Sequence, residues 1–304
     1  MQSDKNFLDE IKHQYQYGGM YIKLIFINVI VFLFIGIFTV LGRLLESESL
    51  PLLMNNIFTL QTDFLNFIQK PWGLITSIFS HFGIVHILFN LLMLYFSGKI
   101  FEHYLGAKRL LAIYILGGIT GGLFEILAHS LVPIMANQTT IIVGASGSIM
   151  AILIGLAFYK PNLPVSLFGL FEFRLIYLGI LYLIYDIFSL GLNDGTAHFA
   201  HLGGAIIGVI ASQKPNNSQN FVFRFEKFLY KLFNIFINLK LNKFRKKTKN
   251  YPYNRRPKTD EEFNMEAKNK QDRINKILDK ISKSGYESLT KVEKEFLFKQ
   301  SNNG

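Results

Sequence analysis

Residues 21–41 read YIKLIFINVIVFLFIGIFTVL, a run that carries one charged side chain, Lys23, over a length that crosses a bilayer as a helix. Backbone groups in hydrocarbon have no water to bond, so a stretch of this kind must close its own hydrogen bonds as a helix. Five further apolar stretches follow, at roughly 82–100, 109–128, 142–159, 174–190 and 198–213. Several fall short of the ~20 residues of a full crossing, which a bilayer accommodates by thinning or by letting helix ends lie below its surface. The expectation is an all-α membrane protein with six spans. Residues 1–20 are polar and mixed in charge. The first run is also too long for the core of a signal peptide and no small-residue cleavage site follows it, so it reads as a retained span.

Charge divides the chain. Residues 1–213 hold 10 Lys and Arg against 11 Asp and Glu, whereas residues 214–304 hold 22 against 10, so the overall net charge of +11 belongs to the tail. In a membrane protein a basic tail favours the cytoplasmic side and anionic headgroups, and no nucleic-acid partner is expected. Lys99, Lys108 and Arg109 mark the turn at 98–109, and Lys160 and Arg174 mark that at 160–174, while 129–141 and 191–197 carry neither Lys nor Arg. This bias puts both termini and those two turns in the cytoplasm. The chain has no cysteine, which excludes disulfides, thiolate metal sites and a cysteine nucleophile.

The domain boundaries follow from composition. Residues 1–20 form a cytosolic segment and 21–213 the six-span body. Within it, 43–72 is too apolar for a solvated loop and is expected as short helices at the outer interface. After Lys214-Pro215, residues 214–247 interleave Phe221, Phe225 and Phe228 with Arg224, Lys227 and Lys231, a basic amphipathic juxtamembrane segment. Residues 248–259 read as a linker. Residues 260–304 read as a cytosolic helical hairpin broken at Gly285, with Thr290 and Glu293 as a capping box.

With the first span running outward, spans two, four and six run inward, and their first turns carry the polar residues. His81, His86 and Asn90 open span two, Ser146 opens span four, and His198 and His201 open span six. Gly144-Ala145-Ser146-Gly147 gives a substrate backbone room beside a hydroxyl, and a helix N-terminus adds unpaired N–H groups for an oxyanion. Ser148 is a rival nucleophile on another face. Ala200, Gly204 and Gly208 form a small-residue stripe that brings the helix of His201 close to a neighbour, matching Gly147 and Ala151. His86 and Asn90, four apart, share a face and can both donate to an oxyanion. A packing or headgroup-contact role is open for each of these residues taken singly, and for His198 headgroup contact is preferred. A zinc set of His81, His86 and His201 lacks a carboxylate or cysteine at ligand spacing, so no metal is expected. Glu125 and Asp186 lie within spans, as proton-path groups or as hydrogen-bond partners of a neighbouring helix. Without an internal repeat of the hydropathy pattern, a transporter is disfavoured.

Four ordered motifs carry a resemblance. They are His81-Phe-Gly-Ile-Val-His86-Ile-Leu-Phe-Asn90, Gly98-xxx-Glu102-xxx-Gly106, Gly144-Ala-Ser146-Gly147 and His201-Leu-Gly-Gly204-xxx-Gly208. Over residues 81–208 the chain resembles the rhomboid intramembrane serine proteases, in their bacterial six-span form. The resemblance implies a six-helix bundle with a Ser–His dyad in a water-filled cavity opening outward, without metal or cofactor. It implies Ser146 as nucleophile and His201 as general base. His86, Asn90 and the Ser146 amide would form the oxyanion hole, with His81, Gly144, Gly147, Met150 and His198 as supporting residues. Glu102, Gly204 and Gly208 would be structural. Two departures stand out: Met150 replaces a tyrosine that stacks on the histidine in some members, and Trp72 is followed by Gly73 instead of arginine. The implied substrates are single-span membrane proteins cut in or near their membrane segments, and the implied location is a bacterial inner membrane. The alternative is a non-proteolytic, rhomboid-like binder of membrane clients.

Overall fold

A computed structural model of the chain describes residues 7–135, 140–167, 171–192, 194–244 and 259–301. The described chain is helical apart from two two-stranded sheets and turns, and it divides into two compact units, Met1–Lys240 and Leu241–Gly304.

The first unit is a helix bundle. Helix α1 (Phe7–Tyr17) leads through Gly18–Gly19 into α2 (Met20–Leu44), the first span. Its first N–H groups are capped by Glu102, whose two carboxylate oxygens accept from Met20 N (3.0 Å) and Tyr21 N (3.1 Å). Charge and cap act together there, because a helix N-terminus carries free donors and partial positive charge. One side of α2 buries Leu24, Asn28 and Ile35; the other exposes Ile30, Leu33 and Ile37, as a lipid-facing surface requires. Asn28 donates to the Tyr114 hydroxyl at 2.9 Å, so its buried amide is paired.

The expected short helices of the first loop are present. They are α3 (Ser49–Phe58) and α4 (Phe64–Gln69), followed by α5 (Gly73–Thr76). Between α3 and α4, strand β1 (Leu60–Gln61) pairs antiparallel with β2 (Ile141–Ile142), which places the first loop against the segment leading into Ser146. Gly144 N donates to Ser77 O (2.9 Å), tightening the same joint. Trp72, without an arginine after it, anchors the loop itself: its indole N–H donates to Asn56 O at 3.0 Å.

Helices α6 (Ile84–Leu105) and α7 (Ala107–Leu131) are the second and third spans, joined by Gly106 at φ 85°, a left-handed conformation that glycine adopts freely. Helices α8 (Ser146–Tyr159), α9 (Leu175–Phe188) and α10 (His198–Ser212) have 14, 14 and 15 residues. Fourteen residues rise about 21 Å, less than a hydrocarbon core of about 30 Å, so these helices begin below a membrane surface. Helices α2, α6 and α7 are long and apolar enough to cross alone. The turn between α8 and α9 is a hairpin of β3 (Pro164–Leu167) and β4 (Phe171–Arg174), which periodicity did not suggest. Helix α8 is buried along most of its length, and α7 and α10 pack against it through glycine faces.

Helix α11 (Phe221–Phe244) lies within the basic segment 214–247. Val222 is fully buried in the bundle core with Phe225 and Leu229 against it, and Arg109 at the start of α7 pairs with Glu226 at 2.7 Å. Of the segment 248–259, read as a linker, residues 248–258 lie outside the described residues and Thr259 is the N-cap of the next helix. In the second unit, α12 (Asp260–Ser284) starts with a complete capping box between Thr259 and Glu262 and ends at Gly285, φ 78°. Helix α13 (Lys291–Ser301) returns after it, and Glu293 accepts from Thr290 N (2.8 Å) and Lys280 Nζ (3.0 Å).

Candidate active site

The distance between α8 and α10 is set by bare backbone. A Cβ on Gly204 would collide with the carbonyl of Gly147, and one on Gly208 would lie 2.6 Å from the Ala151 carbonyl. This is the small-residue approach anticipated from the stripe, and it brings the helix that begins at Ser146 against the helix that carries His201.

Ser146 and His201 line one cavity of about 1060 Å³, together with His86, Asn90, Met150 and Tyr182. Ser146 is the first residue of α8. The N–H groups of that turn have no partner within the helix, a consequence of helix geometry that leaves donors beside the hydroxyl. Gly144, at φ 117°, keeps this rim open, since a Cβ there would sit 2.8 Å from the His86 ring atoms Cε1 and Nε2. Asn90 donates one amide hydrogen to His86 O at 2.9 Å, leaving the other for the cavity.

Three residues singled out by sequence take other places. Ser148 is fully buried, points toward Gly118 of α7 and is not in the cavity wall, which separates it from the site. His81 is fully buried behind the wall, where its Nε2 accepts from Ala145 N at 3.4 Å, so it supports the loop before Ser146. His198, preferred as a headgroup contact, is instead 3% exposed and held by two carboxylates; the first turn of α10 faces α9 and not lipid.

Asp186 explains that correction. It is fully buried on α9, and its Oδ1 lies 2.7 Å from His198 Nδ1 and 2.8 Å from His201 Nδ1. A carboxylate only accepts, so both imidazoles donate from Nδ1, and His201 keeps Nε2 as an acceptor. His198 Nε2 reaches Asp194 Oδ2 at 3.2 Å. Asp194 sits in the loop before α10. Slight burial opposes its ionisation, but hydrogen bonds from Thr196 N and His198 outweigh this and hold its carboxyl below the ordinary value. Tyr182, one turn before Asp186, sets its ring edge-on to His201 at 6.1 Å, an aromatic neighbour supplied by α9 and not by position 150. Met150, 2% exposed, packs with Tyr182.

Sequence reasoning placed Asp186 in a span but not its partners. The readable signal was the His198-x-x-His201 spacing, which puts both rings on one helix face opposite a single buried acid. The donor atoms of Asp186, His198 and His201 lie within 4.8 Å of one another, a composition metal sites also use. The separations of 2.7 and 2.8 Å from one oxygen are those of hydrogen bonds. His81, His86 and His201 do not form such a cluster among the described residues. Glu125, the other intramembrane acid, caps α10 by accepting from Ala200 N at 3.0 Å.

Residues 69–214 match the family model described as Rhomboid domain, and residues 258–303 match DUF6576, a family of unknown function. Among curated proteins, the chain is 35% identical over 155 residues to Rhomboid protease AarA of Providencia stuartii, covering 46% of this chain and 54% of that one. It is 32% identical over 151 residues to RHOMBOID-like protein 12, mitochondrial, of Arabidopsis thaliana, covering 45% and 44%. It is 30% identical over 139 residues to the Arabidopsis protein named Inactive RHOMBOID-like protein 8, covering 45% and 36%. The chain spans about half the length, or less, of these relatives. With the match over 69–214 coinciding with the bundle that holds Ser146 and His201, the chain is a multi-pass membrane protein whose bundle is similar to the Rhomboid domain.

Proposed function

We propose that this protein is an intramembrane serine endopeptidase that hydrolyses peptide bonds in or near the membrane segments of single-span proteins. The observation that carries the reading is the shared cavity: hydroxyl, imidazole and two further side-chain donors converge on it from α8, α10 and α6. Ser146 Oγ attacks the scissile carbonyl while His201 Nε2 takes its proton and passes it to the leaving amine. The tetrahedral oxyanion is met by the Ser146 N–H, His86 and Asn90. Water then hydrolyses the acyl-enzyme through the same base. A helical substrate hides its carbonyls, so cleavage favours segments whose helix unwinds easily. The charge bias supports cytoplasmic termini, an outward-opening site and a basic tail near anionic lipid in a bacterial inner membrane.

The test is cleavage of a generic transmembrane substrate by the purified full chain in detergent and in liposomes, beside Ser146→Ala, His201→Ala and Ser148→Ala. The expected result is activity in the wild type and Ser148→Ala alone. Equal cleavage by wild type and Ser146→Ala removes the mechanism. A wild type that binds such substrates without cutting them favours the client-binding alternative, which the relative named inactive keeps in view.

A further inference from the structure

Half-buried Glu102 and buried Glu125 have identifiable partners. Glu102 caps α2 and Glu125 caps α10, each through backbone N–H groups. Asp186 differs. It is fully buried, makes no helix cap, and its hydrogen bonds within the described residues are the two from His198 and His201; its second oxygen, Oδ2, has no partner there. A carboxylate taken out of water is costly unless it is paired, so these two imidazoles are what its placement serves. One of them is the base of the reaction proposed above.

We propose that Asp186 is the positioning residue for His201, making the working unit Ser146–His201–Asp186, with His198 and Asp194 clamping the carboxylate. The chemistry follows from the atoms. Asp186 Oδ1 accepts from His201 Nδ1, which fixes the neutral imidazole as the Nδ1–H tautomer and leaves the Nε2 lone pair for the Ser146 proton. When that proton arrives, the imidazolium forms against an existing negative charge 2.8 Å away, and no proton moves to Asp186. His198 lies between Asp186 and Asp194, with Nδ1 2.7 Å from Asp186 Oδ1 and Nε2 3.2 Å from Asp194 Oδ2. This second hydrogen bond to Asp186 Oδ1, itself braced by Asp194, stops the oxygen from turning away from His201. Because α9 carries Asp186 and Tyr182 one turn apart, this one helix sets both the tautomer and the ring orientation of His201. The inference rests on the protease reading, and its test is built to fail separately from it.

The measurement is steady-state cleavage of a generic transmembrane substrate by the full chain in detergent, wild type against Asp186→Asn and Asp194→Asn. Thermal unfolding and labelling by a small fluorophosphonate are followed in parallel. Asn is isosteric but presents an N–H donor, which favours the wrong tautomer. The expected result for Asp186→Asn is a fall in kcat of about 10²–10⁴-fold with KM within about threefold, and fluorophosphonate labelling slowed in step. Asp194→Asn, acting through His198, should lower kcat by less than about tenfold. A folded Asp186→Asn with kcat within about threefold of wild type overturns the proposal, as does a rise in KM at unchanged kcat.

Should Asp186→Asn fail to fold, the tautomer is read in the wild type by nitrogen NMR of labelled histidine, with the His201 signal assigned by its loss in His201→Gln. Protonated Nδ1 and bare Nε2 are expected. The reverse pattern overturns the proposal. Absence of cleavage in every variant, wild type included, would sink the protease reading, while the NMR pattern would still decide whether Asp186 sets His201.

Discussion

Gly204 on α10 lies against the carbonyl of Gly147 on α8, with no room for a Cβ between them. Ser146 precedes that carbonyl directly and His201 lies one turn before Gly204, so this contact sets how near the nucleophile helix comes to the base helix. Gly204→Ala must push the helices apart, at a cost of about 1–3 kcal/mol for overpacking. Cleavage should fall by about 10²-fold even in the fraction that folds, because sub-ångström placement of the reacting groups is lost. Thermal unfolding and turnover per folded molecule separate the two effects.

Gly144 tests the cavity rim from the other side. At φ 117° and 2.8 Å from the His86 ring, an added methyl group strains the backbone and displaces the imidazole. Gly144→Ala is expected to lower kcat by about 10²-fold, as misplacement of a transition-state donor does. Unchanged kcat would show that His86 does not act from this position.

Glu102 and Met20 give a prediction about stability without chemistry. The carboxylate satisfies two free N–H groups of the first span, about three turns along α6 from Asn90 and outside the cavity lining. Glu102→Ala should cost about 0.5–2 kcal/mol, the range for loss of a helix cap, and leave turnover per folded molecule unchanged. Glu102→Gln, which keeps an acceptor oxygen, should lie between. Loss of turnover without loss of stability would contradict this role.

Arg109 and Glu226 hold α11 to the bundle. The Arg109 side chain is 4% exposed, so removing its partner strands a buried charge. Glu226→Ala should weaken docking by about 1–3 kcal/mol. In limited tryptic digestion of the full chain, cleavage at Arg224, Lys227 and Lys231 should come earlier than in the wild type.

The tail hairpin should respond to acid. Hydrogen bonds from Thr290 N, then from Lys280, depress the Glu293 carboxyl from its ordinary 4.5 to about 2. A depressed carboxyl contributes stability above its unfolded value and loses it as pH falls through the folded one. Protection of the Thr290 amide from hydrogen exchange should therefore be full above pH 4.5 and decline toward pH 2. A decline complete by pH 4 would contradict the hydrogen-bonding assignment.

The spans were legible because lipid imposes a rule on every residue: a helical run must be apolar, and each of six such runs became a helix with ends within a few residues of expectation. The glycine spacing after His201 and around Ser146 was legible too, since close packing of helices in lipid needs small residues at fixed intervals. The β3–β4 hairpin and the β1–β2 pair escaped, because two- to four-residue strands leave no periodicity to read. Asp186 was visible as an acid in a span, and His198 as a histidine at a helix start. Their meeting at His201 depended on the rotation of α9 against α10, a long-range packing outcome that no local pattern encodes. The sequence by itself thus determined the membrane helices, their order and the residues able to carry the chemistry, because hydropathy and small-residue spacing act locally. Only the tertiary structure decided that His201 is held at Nδ1 by a carboxylate, because that hydrogen bond joins two helices whose facing sides are chosen by the whole bundle.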